Sequence, residues 1–160
     1  MIAVGENLLS LKAAHLMSEG LVLIPQEMSL QGAAHLLVQT QVSGAPVVDK
    51  SGRCVGVLSA ADFMRWVDKE KCVPHGGRTN TYCSSWQISE IEDLPSESIE
   101  NYMTLDPVVS SKGTSIADLA RMMVDAHIHR VIVVDANQRP VGVVSSTDIL
   151  AAVARAGRPR

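Results

Sequence analysis

Two short stretches pair a hydroxyl with a carboxylate three residues on: Ser59-Ala60-Ala61-Asp62 and Ser145-Ser146-Thr147-Asp148. Each follows a glycine-led apolar run, Gly56-Val57-Leu58 or Gly142-Val143-Val144. Ser-x-x-Asp is the pattern of a helix N-cap with an acid at the third position, and it closes a helix start with or without a ligand. The free N–H groups of that start, next to a hydroxyl and a carboxylate, also suit a phosphate and a sugar hydroxyl. A further candidate is Cys72-x-x-His75 with Cys83 eight residues on. These three could ligate zinc with His127 or an acid as the fourth ligand. Structural zinc sites usually carry two tight pairs and this stretch has one, so a surface loop pinned by Trp86 is the simpler reading. The sequence holds no glycine-rich phosphate loop, no Gly-x-Ser-x-Gly and no His-Glu-x-x-His, and no catalytic residue is assigned.

The elements that carry the two Ser-x-x-Asp corners come in duplicate. Met17 and Met103, Gly56 and Gly142, and Asp62 and Asp148 all lie 86 residues apart. Residues 13–67 laid over 99–153 without a gap agree at 15 of 55 positions, nine of them between Val47 and Asp62. Chance would leave about four. Each copy opens on a Met-containing turn, Leu16-Met17-Ser18 or Tyr102-Met103-Thr104, followed by a short extended segment around Val22-Leu23-Ile24 or Val108-Val109. Ser29 and Ser115 then stand where helix N-caps would be. Behind them Leu30, Ala33, Ala34 and Leu37, or Ile116, Leu119, Ala120 and Met123, recur at helical spacing. Strands over 45–49 and 131–135 follow, then a turn, then partner strands over 55–58 and 141–144 that run into the corners. A last helix carries Phe63, Met64 and Val67, or Ile149, Leu150 and Val153. The order is β-α-β-β-α.

A half of about 55 residues is marginal alone. Its valine-rich strands imply that both sheet faces are covered, as when two copies pack sheet against sheet about a pseudo-two-fold axis with a cleft near each corner. The expected organisation is an N-terminal segment 1–12 that covers part of the first repeat or serves as a linker, repeats at 13–67 and 99–153, an inserted loop 68–98 and a basic tail 154–160. The insert is long for a compact domain, hence functional or mobile.

Composition bounds the function. The 160 residues are 46% hydrophobic and 19% charged, a globular profile. Five aromatic side chains and a formal charge of −3 argue against nucleic acid as the main partner. No apolar run reaches the roughly 18 residues that span a bilayer, and no export signal is visible at the N-terminus. Three cysteines do not make a disulfide framework, so a cytoplasmic setting is expected.

The duplicated β-α-β-β-α order, the Met-turn and the Gly-x-x-Ser-x-x-Asp ending resemble a tandem pair of CBS domains, a Bateman module, an α+β fold. The resemblance covers 13–67 and 99–153. It implies regulation by an adenosine-containing ligand (AMP, ADP, ATP, S-adenosylmethionine or NAD), with no catalysis and no cofactor requirement. By that resemblance Asp148 takes the ribose, Ser145 the phosphate side, His129 and Arg130 the phosphates, and Val108 and Val131 flank the base. The first copy keeps Val22, Ala45, Pro46, Ser59 and Asp62, but Ser43-Gly44 stands where His129-Arg130 does, so its site is expected to be empty, weaker or tuned to a less charged ligand such as adenosine. The resemblance further implies a homodimer through the helices around Leu37, Met64, Met123 and Leu150, with output to an unidentified regulated protein. Two alternatives stand beside this reading: a ligand-free structural dimerisation module, and a metal- or redox-responsive protein acting through Cys72, His75 and Cys83.

Overall fold

Two sheets and five helices carry the chain in a computed structural model that describes residues 7–71, 91 and 94–157. After a 3-10 turn at Leu8–Ser10, the elements are α1 (Ala13–Leu16), β1 (Ile24–Pro25), α2 (Leu30–Thr40), β2 (Gly44–Val48), β3 (Cys54–Ser59) and α3 (Ala60–Lys71). A 3-10 turn at Ile99–Asn101 leads to β4 (Thr104–Leu105), β5 (Val109–Ser110), α4 (Ile116–Asp125), β6 (Arg130–Val134), β7 (Pro140–Ser145) and α5 (Ser146–Ala156). The α+β class and the duplicated order agree with expectation. The early strands begin one or two residues later than the apolar runs suggest, at Ile24 and Val109. Cys72, His75, Cys83 and Trp86 lie outside the described residues.

Local chemistry explains the helices. Ser29 Oγ accepts from Gly32 N–H at 3.0 Å, capping α2, and Ser115 Oγ accepts from Asp118 N–H at 3.1 Å, capping α4. Behind the caps, Leu30, Ala33, Ala34 and Leu37 are buried on α2, and Ile116, Leu119 and Met123 on α4. Gln41, in the left-handed region at φ 56°, ends α2 and returns its N–H to the Leu37 and Val38 carbonyls.

The chain forms two compact units, and their boundaries differ from those of the repeats. One unit gathers the chain up to Leu21, Val48–Cys54 and the chain from Asp106 onward. Its sheet has the order β5-β6-β7, with β5 parallel and β7 antiparallel to β6. Val131, Ile132, Val133 and Val134 are all buried, so both faces of β6 are covered. Val131, Val133, Val144, Leu119 and Met123 form a core together with Ala13.

The N-terminal segment belongs to this unit. Ala13 N–H donates to the Thr114 carbonyl at 2.8 Å and Ile116 N–H to the Leu11 carbonyl at 2.9 Å. Leu11 is buried against Ile116 and Ala152. Within the segment 1–12, Leu8 and Leu11 therefore pack on the second repeat, which corrects the expectation that this segment covers part of the first or acts as a linker. The physical reason is a matched apolar surface: Leu8, Leu11 and Leu16 supply what the start of α4 and the face of α5 lack.

The other unit comprises Val22–Val47 and Val55–Leu105. Its sheet order is β1-β2-β3-β4, with β4 antiparallel to β3 and Gly56 opposite Leu105. Ile24, Leu30, Val47, Leu58 and Ile99 are fully buried in its core, with Phe63 and Leu94 nearly so. Here the residues around the start of the second repeat close the first repeat: Leu30 N–H donates to the Glu97 carbonyl at 2.9 Å and Ile99 N–H to the Met28 carbonyl at 3.0 Å.

The two Met-turns are thus exchanged. Met17 packs on Gly142, where a Cβ would lie 2.6 Å from its Sδ. Met103 packs on Gly56, where a Cβ would lie 2.9 Å from its Sδ and 2.8 Å from the Thr104 carbonyl oxygen. Both glycines are needed for close approach rather than for backbone freedom.

Candidate functional site

At the second corner β7 ends on Ser145, whose backbone is extended, and α5 begins at the next residue. Ser145 Oγ accepts from Asp148 N–H at 3.2 Å. Asp148 Oδ2 in return accepts from the Ser145 N–H and from the Ser145 hydroxyl, each at 2.7 Å. This is the capping box that the spacing predicts. A carboxylate offers about four acceptor positions, and this box uses the two on Oδ2. No described residue donates to Asp148 Oδ1, and the side chain is half-buried.

The antiparallel register sets Arg130 opposite Ser145. The Ser146 N–H donates to the His129 carbonyl at 2.9 Å, which ties the start of α5 to the entry of β6. His129 and Arg130 are both exposed. Val108 is half-buried, one residue ahead of β5, which pairs Val109 with Ile132. Val131 differs from expectation: its side chain is fully buried in the core and only its backbone lies at the corner. The reason is the strand's in/out alternation: with Arg130 facing out, Val131 turns inward.

The first corner has the same frame and a different interior. Asp62 Oδ2 accepts from the Ser59 N–H at 2.7 Å and the Ser59 hydroxyl at 3.0 Å. The Ala60 N–H reaches the Ser43 carbonyl at 2.9 Å, as Ser146 does His129. Oδ1, however, receives Arg65 Nη2 and the Thr104 hydroxyl, the latter at 3.2 Å. Arg65 Nη2 lies 3.3 Å from Thr104 Oγ1 as well, so the three groups close a triangle. All four acceptor positions are filled, and the Asp62 side chain is 1% exposed.

Gly44 stands beside Ser59, where a Cβ would lie 3.0 Å from both the Leu58 carbonyl oxygen and Ser59 Cβ. A larger residue there would crowd the corner. Ala45 and Pro46 are buried and Val22 is half-buried against the core, so these three serve packing first.

Sequence reasoning missed Arg65 and Thr104. The signal for Arg65 was present, since Asp62-x-x-Arg65 is an i, i+3 pair on a helix and the aligned residue of the second copy is Ala151. Thr104 carried no local signal, because it is brought to Asp62 by the exchange of the Met-turns. On the helices around Leu37 and Met123 those two residues are themselves buried at 6% exposure, while Val38 and Val124 beside them are exposed. Among the described residues no cluster of three His, Cys, Asp or Glu side chains could hold a metal. His127 is exposed just past α4. No described helix is long and apolar enough to cross a membrane.

Comparison with known proteins bears on these corners. The chain is 28% identical over 142 residues to the CBS domain-containing protein CBSX2, chloroplastic, of Arabidopsis thaliana, a match that takes in 84% of this chain and 59% of that protein's length. A crystal structure of CBSX2 in complex with AMP superposes with a TM-score of 0.69 at 23% identity, covering 92% of this chain and 98% of that one. The CBS domain pair of protein MJ0100, in complex with 5′-methylthioadenosine and S-adenosyl-L-methionine, gives a TM-score of 0.69 at 20% identity over 91% of this chain and 98% of that one. These likenesses establish a shared fold. The family model for the CBS domain matches twice, at residues 13–69 and 99–155. With most of its length in those two matches, this chain belongs to the CBS-domain family and carries the domain as a tandem pair.

Proposed function

We propose that this chain is a regulatory module that binds an adenine nucleotide at the Ser145–Asp148 corner and signals its presence to a protein partner. The observation that carries the reading is Asp148 Oδ1, which no described residue engages, beside a capped helix start and an exposed arginine. A vicinal diol such as ribose needs two acceptor positions, and Oδ1 offers two. Ser145 and the first N–H groups of α5 suit a phosphate. Arg130, opposite Ser145, is shaped for bidentate contact with its oxygens. Val108 and the backbone at Val131 are the candidates to flank the base. The AMP held by CBSX2 supports this ligand class.

The module acts by population shift, a ligand favouring the arrangement it binds best. Homodimerisation is part of the proposal, because Val38, Met64, Val124 and Leu150 leave apolar side chains exposed on four helices. Light scattering should then read twice the 17.1 kDa chain mass; a monomer at working concentration would remove the dimer from the scheme. A cytoplasmic setting is also proposed, on the odd cysteine count.

Thermal-shift measurements with AMP, ADP, ATP, S-adenosylmethionine and NAD test the ligand. One of them at 100 times its Kd should add about 2.7 kcal/mol of stability. A flat response from folded protein across the panel would refute the reading and leave the structural dimerisation module in its place. That second reading draws its support from the first corner, where the carboxylate is wholly spent inside the protein.

A further inference from the structure

The two corners share a backbone frame, a capping serine and a carboxylate, yet one carboxylate is closed and the other open. We infer that Arg65 is the residue that decides this: it locks the first corner by occupying Asp62 Oδ1, the position that a ribose would take there. The inference rests on the proposed nucleotide reading of the Ser145–Asp148 corner and goes beyond it by assigning a determinant of site occupancy.

The duplication supplies an internal control. Thr104, which also donates to Asp62, sits opposite Val57. Its counterpart Ser18 sits opposite Val143, the matching position at the second corner, and exchanges backbone hydrogen bonds with it at 2.9 and 3.0 Å. A hydroxyl is therefore delivered to both corners by the exchanged Met-turns. Only Thr104 engages a carboxylate; the Ser18 side chain makes no hydrogen bond among the described residues. The corners differ at the residue three positions after the aspartate, Arg65 against Ala151, as well as at Gly44 against Arg130. The Arg65 guanidinium holds Asp62 and Thr104 together. Alanine can hold neither.

The lock is selective in chemistry. A ribose entering the first corner must displace two donors, one of them charged, and offers two neutral hydroxyls in exchange. Charge-assisted hydrogen bonds are the stronger kind, so the exchange is unfavourable for an uncharged nucleoside. Gly44, where the second corner has Arg130, removes the cation that would compensate through a phosphate. Arg65 itself is 62% exposed, so its removal takes away the lock without emptying a core position.

The test is titration calorimetry with AMP on the full chain. Wild-type protein should bind one AMP per chain, and D148A should lose that site. In the D148A/R65A double variant the first corner should bind, at least tenfold tighter than D148A. D148A/R65Q, which keeps a donor and drops the charge, should fall between them. If both double variants melt cooperatively and bind no better than D148A, the lock assignment is overturned. A wild-type stoichiometry of two, with Arg65 in place, would overturn it as well. Absence of AMP binding to wild type together with binding to R65A would uphold the lock and refute the reading of the second corner. Silence from both wild type and R65A would overturn both.

Discussion

Replacing each corner aspartate by alanine should separate binding from stability. Asp62 gathers four donors in a side chain that is 1% exposed. Truncating it strands the Ser59 N–H at a half-buried helix start and frees Arg65 and Thr104, which reach water. Hydrogen bonds to a charged group are worth about 1.5–3 kcal/mol each when buried, and the exposed arginine partner is discounted for screening. The expected cost of Asp62→Ala is therefore about 2–3 kcal/mol. Asp148 is half-buried and, among the described residues, accepts from Ser145 alone. Its loss should cost about 1 kcal/mol, the usual worth of a cap. For binding the order reverses. Two ribose hydroxyls on Asp148 Oδ1 make a loss of about 3 kcal/mol, roughly 100-fold in Kd for AMP, on Asp148→Ala. Asp62→Ala should leave the AMP affinity within about threefold, because its corner is closed already. Urea denaturation and titration calorimetry on the two variants read both quantities. Equal stability losses would mean that Asp148 Oδ1 is engaged within the protein. Equal affinity losses would mean that the corners are not ranked as the hydrogen bonds rank them.

Other substitutions test other parts of the argument. Arg130→Ala should weaken AMP binding by about tenfold and leave adenosine binding unchanged, if the guanidinium meets the phosphate as proposed; an equal loss for both ligands would place Arg130 at the nucleoside. Gly56→Ala should destabilise by about 1–3 kcal/mol in urea, because the new Cβ meets the backbone oxygen of Thr104, which cannot step aside. Gly142→Ala meets the Met17 side chain instead, and adding Met17→Ala should recover part of the loss. Ser110, whose hydroxyl is buried on β5 with no hydrogen-bond partner among the described residues, aligns with the fully buried Ile24. Ser110→Ala should therefore raise stability by about 1 kcal/mol, seen as a higher melting temperature; a lower one would show that the hydroxyl is satisfied in solution.

The readable part of this protein was local. Ser29 and Ser115 announced their helices by cap chemistry, and the spacing of Leu30, Ala33, Ala34 and Leu37 announced the buried face of α2. The capping box at Ser145 and Asp148 followed from a three-residue spacing and formed as such. Val131 was legible as a strand residue but not as a core one, because in/out alternation must be anchored to a sheet whose covered faces are known.

By itself the sequence determined that there are two β-α-β-β-α copies, that each ends in a capped corner, and that a methionine and a glycine recur in both. Those are properties of short-range sterics, capping and periodicity, which act within a few residues of chain. Only the tertiary structure decided that Met17 meets Gly142 and Met103 meets Gly56. It alone brought Thr104 to Asp62 and completed the triangle with Arg65. Identical motifs fit either partner equally well on paper. The choice between them rests on which apolar surfaces each segment can cover once the sheets have formed, and that is a contact between residues far apart along the chain.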